Sequence, residues 1–151
     1  MAAYLLDTNV VLRIADRGDA EHAVAFQAVA TLLARGDKPV ITPQVLIEFW
    51  AVASRPVLSN GLGWDSQRIA DAQRELLIDF RLLQDLKEIF AEWQALVLSH
   101  RVQGKQVHDA GLAAVVRCYG HQHIVTFNPS DFVRFSGLVV VHPNELAAQV
   151  P

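Results

Sequence analysis

Four carboxylates stand beside apolar stretches of this chain: Asp7, Glu48, Asp109 and Asp131. Asp7 directly follows the run Ala3-Tyr4-Leu5-Leu6 and is itself followed by Thr8 and Asn9. Asp109 opens an apolar helical stretch, and Thr126, Asn128 and Asp131 trail the run Ile124-Val125. Carboxylates gathered at one place repel one another, and the usual physical reason to keep them is a divalent cation. The six histidines show no H-x-x-x-H spacing, and there is a single cysteine. Hard oxygen donors without a histidine or cysteine cluster point to Mg2+ or Mn2+ and away from zinc.

Each of these residues also has an ordinary structural reading. Asp7 could simply cap the helix that follows it, although Thr8 and Asn9 compete for that role. Asp109 could be a first-turn acid that favours the helix dipole. Asp131 lies in the turn-forming stretch Asn128-Pro129-Ser130-Asp131, where an acid is common. Thr126 could be an ordinary strand-end hydroxyl. Glu48 is harder to explain in that way. It is the only charged residue between Lys38 and Arg55, and its neighbours Val45, Leu46, Ile47, Phe49, Trp50 and Val52 predict a buried helix. A buried carboxylate is costly unless it is paired, protonated or bound to metal. A distant arginine could pair it; a metal site is the favoured reading.

The elements that must position these residues follow from periodicity and punctuation. Short apolar runs at residues 3–7, 39–42, 123–126 and 138–141 read as strands, with a short edge strand at 80–83. Helices are expected over about 9–16, 20–35, 43–54, 65–79, 86–103 and 108–119, with a short helix or turn from Asn144. Thr42-Pro43 is a helix start with its cap, Asp65 or Ser66 caps the helix that runs to about Asp79, and Gly36 and Gly120 are helix stops. In the 20–35 helix the apolar residues Ala23, Phe26, Ala30 and Leu33 recur at helical spacing. In the 86–103 helix the apolar side is Leu86, Ile89, Phe90, Trp93, Leu96 and Val97. Strands that alternate with helices and are apolar throughout predict an α/β fold: three layers, α/β/α, around a mainly parallel sheet. In such sheets ligands bind beyond the carboxyl ends of the strands. Asp7, Thr126 and Asn128 lie there by construction, and Glu48 and Asp109 can reach that edge from helix starts.

The bulk properties set limits. The chain of 151 residues, 52% of them apolar, predicts a single domain spanning 1–151 with its own core. The lone Cys118 excludes an internal disulfide, reads as a small core residue and suggests a reducing cytoplasm. No signal-peptide pattern and no apolar run near the ~20 residues of a membrane span is present, so no membrane association is expected. A formal charge of −3 excludes a wholly basic surface for nucleic acid. Gly104-Lys105 lacks the spacing of a P-loop, and His108, beside Asp109, reads best as a surface histidine.

Taken in order, Leu6-Asp7-Thr8-Asn9-Val10-Val11-Leu12, Glu48, Val107-His108-Asp109-Ala110-Gly111-Leu112-Ala113-Ala114 and Val125-Thr126-Phe127-Asn128-Pro129-Ser130-Asp131-Phe132 span nearly the whole chain. In these pieces it resembles PIN-domain proteins, the fold of the toxin ribonucleases of bacterial VapBC-type toxin–antitoxin pairs. The resemblance implies a metal-dependent endoribonuclease using Mg2+ or Mn2+. Asp7, Glu48 and Asp109 match the family's acidic positions. The fourth falls on Asn128, a departure, with Asp131 close behind. Thr126 matches the hydroxyl that usually precedes that position, and Thr8 and Asn9 match the residues that fix the first loop. Asp7 and Asp109 are then the leading ligands, with Glu48 and Asp131 completing the set. An RNA substrate, a small antitoxin partner and a homodimer are implied as well. Arg13, Arg17, Arg55, Lys105 and Arg134 are the candidates for meeting RNA, and the helical hairpin over 20–54 for meeting the antitoxin. Two rival readings remain. A haloacid-dehalogenase-like phosphatase also begins with an apolar strand and Asp, but needs a second Asp where this chain has Asn9. A non-catalytic PIN-like RNA-binding protein is left open by Asn128.

Overall fold

A computed structural model describes residues 1–149. Strand β1 (Ala3–Leu6) leads into helices α1 (Thr8–Ala15) and α2 (His22–Ala34). Then come β2 (Lys38–Ile41), α3 (Pro43–Ser54), α4 (Ser66–Asp79) and the two-residue β3 (Arg81–Leu82). Helices α5 (Ile89–His100) and α6 (Gln106–Cys118) follow, then β4 (His123–Val125), β5 (Val139–Val141) and α7 (Pro143–Ala147). The five strands form one sheet in the order β3-β2-β1-β4-β5, and every pairing is parallel. The expected α/β architecture is observed, with a sheet that is parallel throughout.

The order explains the layers. From β1 the chain steps outward to β2 and β3, then returns past β2 and β1 to β4 and β5. Right-handed crossovers put the helices of the outward steps, α1 to α4, on one face and those of the return, α5 and α6, on the other. The packing agrees: α1 lies on α2 and α3, α3 on α4, and α5 on α6, while α7 closes against α2. The central strands are buried through Leu5, Leu6, Val40, Ile41, Ile124 and Val125. The direction of winding reverses between β1 and β4, which opens a crevice at their carboxyl ends, the switch point where such sheets bind ligands.

Three helices differ in face or length from what the apolar pattern suggests. Helix α2 buries Ala25, Ala28, Val29 and Leu32, while Phe26 and Leu33 are exposed. The helix is apolar nearly all round, so periodicity could not choose the face. The neighbours α1 and α7 chose the side with small residues, which permits close approach. Helix α3 is not buried all round: Val45, Phe49 and Ala53 face the core, whereas Ile47 is 70% exposed. Helix α5 is shorter than expected, ending where Arg101 turns left-handed at φ +50°, and it exposes Phe90 while burying Leu96. The caps at Thr42 and Asp65 form as the sequence suggests, each side chain accepting a bond from a backbone N–H of its helix's first turn. Cys118 is half-buried near the end of α6. No helix among the described residues is long and apolar enough to cross a membrane.

Candidate active site

The site is built from the ends of β1 and β4. Asp7 continues β1, its backbone N–H donating to the Val125 carbonyl at 3.0 Å. Thr126 continues β4, donating in the same way to Val141 at 3.0 Å. These ladder bonds hold the two side chains in register at the switch point, both buried. Asp7 is also the N-cap of α1, with Oδ1 accepting from the Thr8 N–H at 2.7 Å. Capping and site-building are therefore one arrangement.

A closed network of neutral donors surrounds the Asp7 carboxylate. Thr126 Oγ1 donates to Asp7 Oδ2 at 2.8 Å and accepts from Asn9 Nδ2 at 3.2 Å and from the Asn128 N–H at 3.0 Å. Asn9 Nδ2 also reaches Asp7 Oδ2 at 3.3 Å, while its Oδ1 accepts from the Phe127 N–H at 3.1 Å. Asn9 thus ties α1 to the loop after β4, and its amide orientation is fixed by that bond.

Glu48 lies on the half-buried side of α3. Its Oε2 accepts from Thr8 Oγ1 at 2.6 Å and its Oε1 from Gln44 Nε2 at 2.9 Å. The distant arginine contemplated from the sequence is absent: among the described residues none of Asp7, Glu48, Asp109 and Asp131 forms an ion pair. Asp109 stands in the first turn of α6 and Asp131 at the end of a 3-10 turn over Pro129–Asp131. The chain therefore keeps four carboxylates near one another without a bonded cation.

The electrostatic consequence falls on two of them. Burial pushes Asp7 up to about 6, against the opposing hydrogen bonds from Thr126 and Thr8, with Glu48 and Asp131 adding repulsion. Asp109 is raised to about 7 by burial first, then by the charges of Asp7, Asp131 and Glu48, with Arg134 opposing. Both shifts come from burial first and from like-charge repulsion second.

All the expected acidic residues line one open cleft of about 690 Å³, together with Thr8, Asn9, Asn128, Arg55, Lys105 and His108. Thr126 stands beneath it, behind Asp7. Asn128 and Asp131 both reach the cleft. Asn128 is exposed, whereas the charge of Asp131 is felt by both Asp7 and Asp109. The basic candidates divide. Arg55 and Lys105 line the cleft, and Arg134 bonds Gln106 Oε1 at 2.7 Å beside it. Arg13 instead stacks on Phe127 at 4.4 Å and bonds the Asn9 carbonyl at 3.0 Å, so it braces the loop. Arg17 lies elsewhere, near Glu75 and Asp79. Sequence reasoning missed Gln44, although its place one turn before Glu48 was the available signal.

This fold has relatives. The family model of the PIN domain matches residues 4–138, and the chain belongs to that family. The search of curated protein sequences finds no match. Among solved structures the chain is similar to VapBC2 from Rickettsia felis bound to a DNA fragment from their promoter. The TM-score is 0.70 at 15% identity, covering 93% of this chain and 98% of that one. It is also similar to VapC20 of Mycobacterium tuberculosis, a sarcin–ricin loop cleaving toxin, with TM-score 0.61, 20% identity and coverage of 80% and 86%. A toxin–antitoxin complex from Klebsiella pneumoniae aligns with TM-score 0.62, 23% identity and coverage of 93% and 97%. At these identities the structures speak for the fold. The family match displaces the phosphatase reading, and the position that reading needed as an acid is Asn9, bound to Asp7 and to the Phe127 backbone.

The donor set suits a hard divalent cation. Among the described residues no three acidic, histidine or cysteine side chains converge into a ready-made coordination shell. The carboxylates that line the cleft are hard oxygen donors, the type that Mg2+ takes one or two at a time with water completing its shell.

Proposed function

We propose that this chain is a metal-dependent endoribonuclease, the toxin of a toxin–antitoxin pair. The observation that carries the reading is the group of four carboxylates lining one cleft at the switch point, with Asp7 and Glu48 held by neutral donors and, among the described residues, none of the four in an ion pair. Asp7 and Asp109 are the residues that would hold Mg2+ or Mn2+, with Glu48 and Asp131 acting through water. A cation bound there supplies charge neutralisation at a phosphodiester and acidifies a coordinated water. Thr126 and Asn9 hold the Asp7 carboxylate in one orientation. Glu48, fixed at both oxygens, is placed to align the attacking water. Arg55, Lys105 and Arg134 border the cleft and offset the acidic charge as the phosphate backbone approaches. Between the two residues proposed for the fourth corner, the half-buried Asp131 is favoured over the exposed Asn128, because only Asp131 brings charge.

The similar structures include toxin–antitoxin complexes, which supports a small antitoxin partner; a homodimer in the cytoplasm belongs to the same reading and rests on the family resemblance alone. The exposed Phe26 and Leu33 of α2 and Ile47 of α3 offer apolar surface for such a partner.

The test is cleavage of structured RNAs with Mn2+. Asp7→Asn and Asp109→Asn are each expected to lower the rate on the order of 10²-fold or more. Cleavage that needs no metal and survives both substitutions would sink the reading. A chain that binds RNA without cutting it is instead the non-catalytic relative.

A further inference from the structure

Helices α3 and α6 contribute Glu48 and Asp109 to the cleft from different layers of the fold, and their backbones otherwise barely approach each other. Gln44 spans this gap. Its Nε2 donates one proton to Glu48 Oε1 at 2.9 Å and the other to the His108 carbonyl at 2.7 Å. His108 is the residue immediately before Asp109, in the first turn of α6. The opposite amide orientation would aim Oε1 at two acceptors, so the bonds fix the orientation. Oε1 then lies over Gly111, where an added Cβ would come within 2.5 Å of it and within 3.3 Å of the amide carbon. Gly111 stands inside a helix, where glycine is unfavourable relative to alanine. The absent Cβ leaves a seat for the amide, and a side chain there would have to displace it.

We propose that Gln44 is a positioning residue that sets the separation of Glu48 from the α6 turn bearing Asp109, through a carboxamide seated over Gly111. This rests on the metal-site reading of the cleft. Two like charges facing each other across unconnected helices would move apart. The amide bridge opposes that without adding charge and leaves both carboxylates available. Gln44 itself does not line the cleft, so it acts through Glu48 and the α6 backbone.

The experiment is Mn2+ binding, measured by titration calorimetry on the unmodified protein, Gln44→Met, Gly111→Ala, Gln44→Ala, the Gln44→Ala/Gly111→Ala double variant and Asp7→Asn. Melting temperatures are recorded without metal. Gln44→Met keeps length and volume but removes both donors, and should weaken Mn2+ binding about 10–100-fold, as loss of partners around metal ligands commonly does. Gly111→Ala should weaken binding in the same way when Gln44 is present. With Gln44→Ala already made, it should cost no further affinity and should raise the melting temperature by roughly 2–4 °C, the gain expected from replacing a helical glycine. Undiminished Mn2+ binding by Gln44→Met, with binding lost in Asp7→Asn, would overturn the bridge and leave the site reading intact. An equal cost of Gly111→Ala in both backgrounds would overturn it as well. Equal binding by the unmodified protein and Asp7→Asn would mark failure of the site reading, and the bridge would fall with it.

Discussion

Thr126 shows how much one hydroxyl can organise. It donates to Asp7 and accepts from Asn9 and from the Asn128 backbone, which uses its full bonding capacity in a buried place. Thr126→Val keeps the shape and removes all three bonds. The buried Asp7 carboxylate then loses a donor, and two N–H groups lose their acceptor. The expected cost is roughly 1–3 kcal/mol of stability, read from urea melts. Asp7 should also be driven further above its ordinary range, so Mn2+ binding should require a more alkaline solution. An unchanged pH dependence of Mn2+ affinity would show that Thr126 has no hold on Asp7. The residue types at this corner were legible in the sequence, because Asp7, Asn9 and Thr126 each follow a strand. The bonds among them were not, since Asn9 and Thr126 are separated by 117 positions and meet only when β1 and β4 pair.

At the scale of the element, α3 carries both Glu48 and Gln44 and shows where pattern reading stops. Its sequence is so apolar that every side appears fit for burial. The structure buries Phe49 completely and leaves Ile47 70% exposed, two residues away. Phe49→Ala should therefore cost about 3–5 kcal/mol, as large-to-small changes in a core do. Ile47→Ser should stay within about 0.5 kcal/mol of the unmodified protein. Chemical denaturation of the two variants decides this, and comparable losses would mean the helix faces are wrong. The start of α3 was readable from Thr42-Pro43, because capping is a local interaction. The loop that follows it is local as well. Its backbone folds back so tightly that a Cβ on Gly61 would lie 2.1 Å from the Arg55 carbonyl oxygen. Which face α3 or α2 buries is not local. It depends on the helices packed against them, α1 and α7 for α2 and α1 and α4 for α3.

For the whole molecule, the gathered carboxylates link stability to pH. Asp7 and Asp109 ionise at about 6 and about 7 in the folded chain, above the ordinary value of 3.8. A carboxyl whose folded pKa is raised favours folding most when protonated. The contribution is complete below the unfolded value and is lost as pH rises through the folded one. Without metal the melting temperature should therefore fall between about pH 4 and pH 7, other groups being equal. Saturating Mn2+ should restore much of the loss at neutral pH, because a ligand of the folded state stabilises it. Asp7→Asn should flatten the pH slope and weaken the response to Mn2+. Differential scanning fluorimetry across this range, with and without Mn2+, gives the answer. A metal-free protein that grows steadily more stable toward neutral pH would contradict the raised pKa values.

The order of strands and helices, the cap at Thr42, and the identity of the acidic residues were determined by the sequence alone. Those features depend on period, on turn chemistry and on the residue next to a strand end, all local quantities. The tertiary structure decided that Asp7 both caps α1 and lines the cleft. It gave Glu48 to Thr8 and Gln44 with no arginine, turned Arg13 to bracing a loop, and left Arg55 and Lys105 at the cleft. It also raised two carboxyl groups by enclosing them beside like charges. The reason is geometric: a parallel sheet brings together residues more than a hundred positions apart, and burial and charge act on what lies near in space.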